Sequence, residues 1–96
     1  MEQVVVVSGR VDGSTSNDVR DRLHRAVDAG WPIVVVDLSG AATLDATGLG
    51  VLVGAHWRAH RLGQQVVLRG TPPRIARVLR ATRLRRVLRY EAALAA

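Results

Sequence analysis

The most informative part of the sequence is residues 37–52, which read DLSGAATLDATGLGVL. The apolar run over residues 33–38, just before and into this stretch, predicts a buried strand. Residues 39–46 are predicted to form a loop, after which apolar residues recur at helical spacing as far as Gly63. The stretch therefore predicts a strand, a short loop and a helix in direct succession.

The start of this helix carries two unusual features, a capping residue and a pair of glycines. Asp45 is placed to accept hydrogen bonds from the free backbone N–H groups of the first turn. Gly48 and Gly50 follow within the first turns, where each glycine costs about 1 kcal/mol relative to alanine. We therefore expect both glycines to allow close approach of another part of the chain.

The remaining elements follow from apolar runs and apolar residues at helical spacing. They are a strand over residues 4–7, a helix with Val19, Leu23, Ala26 and Val27 that ends at Gly30, a strand over residues 66–68, a helix that begins at Thr71-Pro72-Pro73, a short strand within residues 86–90 and an Ala-rich tail that is helical or frayed. Because the strands are apolar throughout, we expect a mainly parallel central sheet with helices covering both faces. The chain is predicted to be one small α/β domain over residues 1–96.

Two motifs in this chain resemble the signature of STAS domains of the anti-sigma factor antagonist type. One is Asp-Leu-Ser-Gly at residues 37–40 followed by Asp-Ala-Thr-Gly-Leu-Gly-Val-Leu at residues 45–52, and the other is Gly-Arg-Val-Asp at residues 9–12. The resemblance spans residues 4–90. It implies a small sheet flanked by helices, in a bacterial protein-interaction module that regulates transcription by binding a kinase-type anti-sigma factor. The partner-binding residues that it implies are Gly9, Asp12, Asp45, Ala46, Thr47, Gly48 and Leu49.

The chain departs from the family pattern directly after Asp45. The resemblance implies a phosphorylatable hydroxyl residue there, but the position holds Ala46. A binder that is always competent, or one regulated elsewhere, is therefore expected. Thr47 is a possible displaced acceptor, although a shift by one residue turns a side chain by about 100° on a helix. A capping or packing role for the Thr47 hydroxyl is the alternative.

The chain also has only a short strand region before Gly9, where the family usually carries a further strand. The sheet is therefore expected to be one strand smaller, or to have its edge completed by a partner. A homodimer built through this edge is one such arrangement. A STAS domain that serves as a scaffold or small-ligand-binding subunit of a larger complex, such as a transporter accessory, is the alternative function.

The sequence gives no pattern that indicates an enzyme, a cofactor or a metal. It has no cysteine, no GxSxG elbow and no glycine-rich phosphate-binding motif. His56 and His60 have the spacing of a metal pair but lack an evident third ligand. Asp37 and Asp45 bracket one loop and could hold Mg²⁺, but an aspartate that forms a turn is more common. A phosphate site at the helix start rests only on the affinity of helix N-termini for anions.

Charge is distributed unevenly along the chain. Residues 1–60 carry a formal charge of −2 and residues 61–96 carry +8, which gives the net +6. This asymmetry indicates an acidic partner surface or nucleic acid, with a solvated basic face as the alternative. The basic ridge consists of Arg74, Arg77 and Arg80 on one helix, followed by Arg83, Arg85 and Arg86. Nucleic-acid binding through this third of the chain is possible, but no aromatic stacking platform accompanies the ridge.

Trp57 is predicted to project from the second helix with Arg58 and Arg61, away from the buried stripe. Exposed tryptophan and arginine are enriched in binding hot spots, while partial burial against a neighbouring helix is the alternative. The first residues, Met1-Glu2-Gln3, lack the basic start of a signal peptide, and no apolar run approaches the length of a membrane span. A cytoplasmic protein without membrane insertion is expected.

Overall fold

The chain folds into strands and helices in the computed structural model, which describes residues 1–91. The elements in order are β1 (Glu2–Val6), β2 (Gly9–Val11), α1 (Ser16–Asp28), β3 (Ile33–Asp37), β4 (Ala41–Leu44), α2 (Ala46–Arg61), β5 (Gln65–Arg69), α3 (Pro73–Ala81), a 3₁₀ turn (Leu84–Arg86) and β6 (Arg89–Tyr90). The Ala-rich tail lies outside the described residues.

The main sheet has four strands in the order β1-β3-β5-β6, and every pair is parallel. Helices connect successive strands of this sheet, as parallel pairing requires. The expected small α/β domain with a mainly parallel sheet and flanking helices is therefore confirmed. The short last strand is also present, as β6.

A second, two-stranded sheet was not expected from the sequence. The strands β2 and β4 pair in parallel, with Val11 beside Leu44. The Gly9 N–H also donates to the Gly40 carbonyl at 2.9 Å. The prediction of a loop over residues 39–46 was therefore wrong for β4. Only Ala41 and Leu44 of this strand are buried, so the local pattern is too weak to reveal a pairing with residues far back in the sequence.

The hydrophobic core lies between one face of the main sheet and the helices. Side chains of β3 and β5, with further ones from β1, β2 and β4, supply the strand side, α1 and α2 supply most of the helix side, and α3 adds two more. The central members are Val34, Val36, Val66 and Leu68 from the strands, and Leu23, Val27, Leu52, Ala55, Ala59, Ile75 and Leu79 from the helices. The apolar stripes predicted from helical spacing are thus the buried ones.

The opposite face of the sheet is less completely covered. On β1, Val4 and Val6 point to this face and remain 38% and 50% exposed. An ion triad lies on the same face, where Arg69 binds Glu91 at 2.6 Å and Glu2 at 3.0 Å. The expectation that both faces would be covered is therefore wrong along β1, because the helices pack against the other face of the sheet and leave Val4 and Val6 exposed.

Candidate partner-docking site

The two sequence motifs meet in space at the ends of the small sheet. The first motif ends β2 and leads into α1, and the second ends β4 and leads into α2. Because β2 and β4 are parallel, their carboxyl ends lie side by side. The Asp45 N–H donates to the Val11 carbonyl at 3.2 Å and ties one motif to the other.

Gly48 lies against the ends of β2 and β4, where there is no room for a side chain. A methyl group at this position would lie 2.8 Å from both the Val11 carbonyl oxygen and Val11 Cγ1, and 2.7 Å from Leu44 Cδ1. The first turn of α2 therefore rests directly on the ends of β2 and β4. The expectation of a close neighbour is confirmed for Gly48, but it was wrong for Gly50, where a methyl group would meet nothing within 4 Å.

The N-terminal turn of α2 packs against the rest of the protein on one side and is exposed to solvent on the other. Asp45 caps the helix as predicted, because its Oδ1 accepts a hydrogen bond from the Gly48 N–H at 2.9 Å. Leu49 is only 7% exposed and packs in the core. Asp45, Ala46 and Thr47 are exposed. Gly48 and Leu49 thus position this turn, while Ala46 and Thr47 form its outer surface.

The first motif forms a tight turn before α1. The carboxylate of Asp12 accepts hydrogen bonds from the Ser14 hydroxyl at 2.7 Å and the Ser14 N–H at 2.9 Å. These bonds stabilise the charged form and lower the pKa of Asp12. The Thr15 hydroxyl donates to the Arg10 carbonyl at 2.8 Å and closes the turn onto β2. Asp12 therefore has a structural role in this turn. Gly9, at the start of β2, adopts a positive φ of 72°, a conformation that favours glycine.

A shallow groove continues from Thr47 along α2. It encloses about 290 Å³ between α1 and α2, and its floor includes Gly50 and Gly54. Its rim is basic and consists of Arg20, Arg58 and Arg61. We call Ala46, Thr47, Gly50, Gly54 and these three arginines the α2 surface. The groove is also lined by His24 and Val51, whereas Gly50 and Gly54 present no side chain to it.

The rim arginines differ in how firmly they are held. Arg58 forms a two-point ion pair with Asp28 of α1, with distances of 2.9 and 2.8 Å. This pairing fixes one side of the groove. Within residues 1–91, no ion pair is formed by Arg61, so its charge is available to a partner.

Residues 3–96 match the family model described as the STAS domain. The chain belongs to the STAS domain family. The matched residues include both motif loops, Gly48 and the capped start of α2 described above.

Similar proteins include anti-sigma factor antagonists. The anti-sigma-B factor antagonist of Listeria monocytogenes is 30% identical over 80 residues, which are 83% of this chain and 70% of the relative. The crystal structure of an anti-sigma factor antagonist from Mycobacterium paratuberculosis has a TM-score of 0.85 at 23% identity, covering 95% of this chain and 77% of that one. A substituted form of RsbS from Moorella thermoacetica has a TM-score of 0.75 at 25% identity, covering 94% and 78%.

The candidate metal residues of this STAS domain are separated or already engaged. Asp37 accepts hydrogen bonds from the Ser39 hydroxyl at 2.7 Å and the Ser39 N–H at 2.9 Å, which lower its pKa. Asp45 is engaged elsewhere, because its carboxylate caps the start of α2. Across residues 1–91 no group of three His, Asp or Glu side chains is placed to hold a metal ion. In the same part of the chain, no helix has the length and apolar character needed to cross a bilayer.

The Arg-rich part of the chain lies mostly on the surface. Arg74, Arg77 and Arg80 are exposed along α3, whereas Arg69 is engaged in the ion triad. Trp57 is 46% exposed and borders a separate depression of about 780 Å³ with Arg86 and Arg89. The sequence predicted that Trp57 projects together with Arg58 and Arg61. In the structure Trp57 borders this depression, whereas the two arginines line the groove between α1 and α2. Nucleic-acid binding through this region stays a prediction.

His56 also lines the depression beside Trp57, and the folded protein disfavours its protonation. Partial burial lowers its pKa from the usual 6.5, and the nearby His60 and Arg89 lower it further. The unfolded chain therefore takes up a proton first as the pH falls. The stabilising contribution of neutral His56 is fully present above pH 6.5 and is lost as the pH drops towards the lowered pKa.

We predict that the free energy of unfolding decreases less steeply in His56→Gln than in the wild type below pH 6.5. Glutamine keeps a polar side chain but takes up no proton, so the linkage at this site disappears. Urea unfolding followed by circular dichroism, at neutral pH and at mildly acidic pH, measures both slopes. Equal slopes would show that His56 titrates alike in the folded and unfolded states.

Sequence reasoning found the motif residues but missed two parts of the site. The Val11 carbonyl, on which Gly48 rests, carries no side-chain signal in the sequence. Arg20 of α1 joins the rim only because α1 packs beside α2. The helical spacing of charged residues on α1 was the available sign that this helix has an outward charged face.

Proposed function

We propose that this STAS domain is an anti-sigma factor antagonist that binds a kinase-type anti-sigma factor through its α2 surface. The observation that carries the proposal is the N-terminal turn of α2, which exposes Ala46 and Thr47 while Gly48 and Leu49 anchor it. The Listeria relative, an anti-sigma-B factor antagonist by name, supports the same function. The proposed role is binding without catalysis, and it implies action in the cytoplasm, where transcription takes place.

The proposed binding is not switched by phosphorylation of the residue after Asp45. Ala46 has no hydroxyl, so no phosphoryl group can add its charge of about −1.5 to −2 there. Thr47 is exposed and is the nearest hydroxyl on this turn. Incubation with the anti-sigma factor and ATP, followed by mass spectrometry of the intact chain, tests Thr47. We expect the mass of the chain to stay unchanged.

The charge of the α2 surface indicates which face of a partner it fits. Arg20, Arg58 and Arg61 line the groove around Gly50 and Gly54, where Asp28 pairs closely with Arg58 at 2.8 Å and Asp21 lies 3.9 Å from Arg20. A helix or loop with acidic side chains can rest on Gly50 and Gly54 while its carboxylates meet the rim. Association is therefore expected to slow as salt is added, because salt screens charge steering.

We predict that Ala46→Glu weakens binding of a purified anti-sigma factor from the same host by about tenfold or more. The substitution places a charge in the centre of the proposed interface, where an unpaired buried charge costs several kcal/mol. Folding is expected to be preserved, because Ala46 is exposed and a glutamate in the first turn of a helix is favourable. Isothermal titration calorimetry measures the binding, and thermal unfolding measures the fold.

A matched control places the same substitution on another exposed surface. Ala81 ends α3 and is also exposed, so Ala81→Glu should bind like the wild type. If both variants bind normally, the α2 surface is not the docking site. If the wild type binds no anti-sigma factor of its host, the proposed function itself is wrong.

A further inference from the structure

The outer edge of β1 carries backbone hydrogen-bonding groups that no described strand uses. On its inner side β1 pairs with β3, and the Val7 N–H just beyond it donates to the Asp37 carbonyl at 2.9 Å. Because the hydrogen-bonding side alternates from residue to residue along a strand, the odd residues face β3. The N–H and C=O groups of Glu2, Val4 and Val6 therefore point away from the sheet.

Exposed apolar side chains are concentrated on this same strand and the residue before it. Of the five large hydrophobic residues exposed within residues 1–91, three are Met1, Val4 and Val6. Val4 and Val6 stand two residues apart on the face opposite the helices. An unpaired edge with apolar side chains is a template for another strand. This edge therefore offers both backbone groups and apolar contacts.

The helix side of the same edge is a basic groove. It encloses about 360 Å³ between β1 and α1, and Trp31, Arg22 and Arg25 lie along it with Val4 and Val5. Asp18 reaches Arg22 only at 4.0 Å. Within the described part of the chain Arg25 forms no ion pair, and no acidic residue lines the groove.

Arg22 occupies the place that a donor from an added strand would take. Its Nη2 donates to the outward-pointing Val6 carbonyl at 2.5 Å. Such an arginine protects an edge in the free protein. It can also turn to a carboxylate once a backbone N–H of an incoming strand replaces it at the carbonyl.

We propose that the outer edge of β1 binds an extended segment of a partner protein as an added strand, in which acidic side chains alternate with apolar ones. The acidic side chains face Arg22 and Arg25, and the apolar ones lie beside Val4 and Val6. A second copy of this chain fits less well, because pairing two such edges would bring both pairs of arginines together without an acidic residue in the groove. This surface is separate from the α2 surface and does not depend on the proposed function.

The test uses a short peptide of alternating valine and glutamate, blocked at both ends, added to the full chain. Amide hydrogen exchange followed by NMR should slow at Val4 and Val6, whose N–H groups become bonded. The amides of Val5 and Val7 already face β3 and should change little. A peptide of alternating valine and lysine should bind at least about tenfold more weakly, because Arg22 and Arg25 repel it.

Val4→Pro provides the decisive variant. Proline removes an N–H that β1 does not share with β3, so the fold should tolerate it as edge strands do. Binding of the valine–glutamate peptide should weaken at least about tenfold, through the lost hydrogen bond and a blocked edge. Val4→Thr keeps both the N–H and the branched shape, and it should bind like the wild type.

Three results would overturn the proposal. The first is no protection of the Val4 and Val6 amides at any peptide concentration. The second is equal binding by folded Val4→Pro and the wild type. The third is protection of these amides without peptide that grows with protein concentration, which would assign the edge to a second copy of this chain.

Discussion

Replacement of Gly48 by valine is expected to destabilise the domain by about 3 kcal/mol, the upper part of the usual range for overpacking. Even the first added carbon would lie 2.8 Å from the Val11 carbonyl oxygen and 2.7 Å from Leu44 Cδ1. Leu44 can turn aside, but the Val11 carbonyl belongs to the backbone of β2. The first turn of α2 would therefore have to move away from the small sheet.

Gly50→Val is the matched control on the same helix. A methyl group at Gly50 would meet nothing within 4 Å, so this variant should stay within about 0.5 kcal/mol of the wild type. Both variants exchange glycine for valine in one helix, so the change in helix propensity is the same to a first approximation. The difference in unfolding free energy, measured with urea, thus isolates the contact at Gly48. Equal stability of the two variants would mean that α2 does not rest on Val11.

The same displacement should reach the proposed docking site. Ala46 and Thr47 belong to the turn that Gly48 packs against the small sheet. Because Gly48→Val would displace this turn, it should weaken anti-sigma factor binding even where the protein remains folded. Gly50 lies on the α2 surface itself, and Gly50→Val should weaken binding by filling the groove floor. Gly48→Val is therefore expected to reduce both stability and binding, whereas Gly50→Val is expected to reduce binding alone.

The sequence predicts the large elements well because their signals are local. The apolar run of β3 and the helical stripe of α1 each bury the residues expected from spacing. The cap at Asp45 is equally local, because a capping side chain and its N–H partner lie three residues apart. These features required no knowledge of what lies across the fold.

What the sequence could not predict depends on contacts between distant residues. Gly48 and Gly50 have the same local cost in a helix, yet only Gly48 meets another element, because β2 ends beneath it. The pairing of β2 with β4 is similarly invisible, since each strand is short and half exposed. The α2 surface combines a helix start with Arg20 from α1, so its basic rim appears only after the helices pack.

Leu38 shows how the signature that identifies the family also holds its two sheets together. It follows β3 directly and is completely buried, with 0% exposure, although it lies in a turn. Its N–H donates to the Arg69 carbonyl of β5 at 2.8 Å, and its carbonyl accepts from the Ala41 N–H at 3.0 Å, where β4 begins. The backbone of Leu38 thus joins the main sheet to the small one, and its side chain fills the core between them.

We predict that Leu38→Ala destabilises the domain by about 2–5 kcal/mol, because a buried leucine leaves a cavity that rigid strands on both sides cannot fill. Leu62→Ala is the control, since Leu62 is 57% exposed, and it should cost less than about 0.5 kcal/mol. Urea unfolding of both variants measures the difference. A cost for Leu38→Ala as small as that of the control would mean that the junction relaxes freely. The large cost would show that the buried Leu38 side chain is a necessary part of the core at the point where β3 leads into the small sheet.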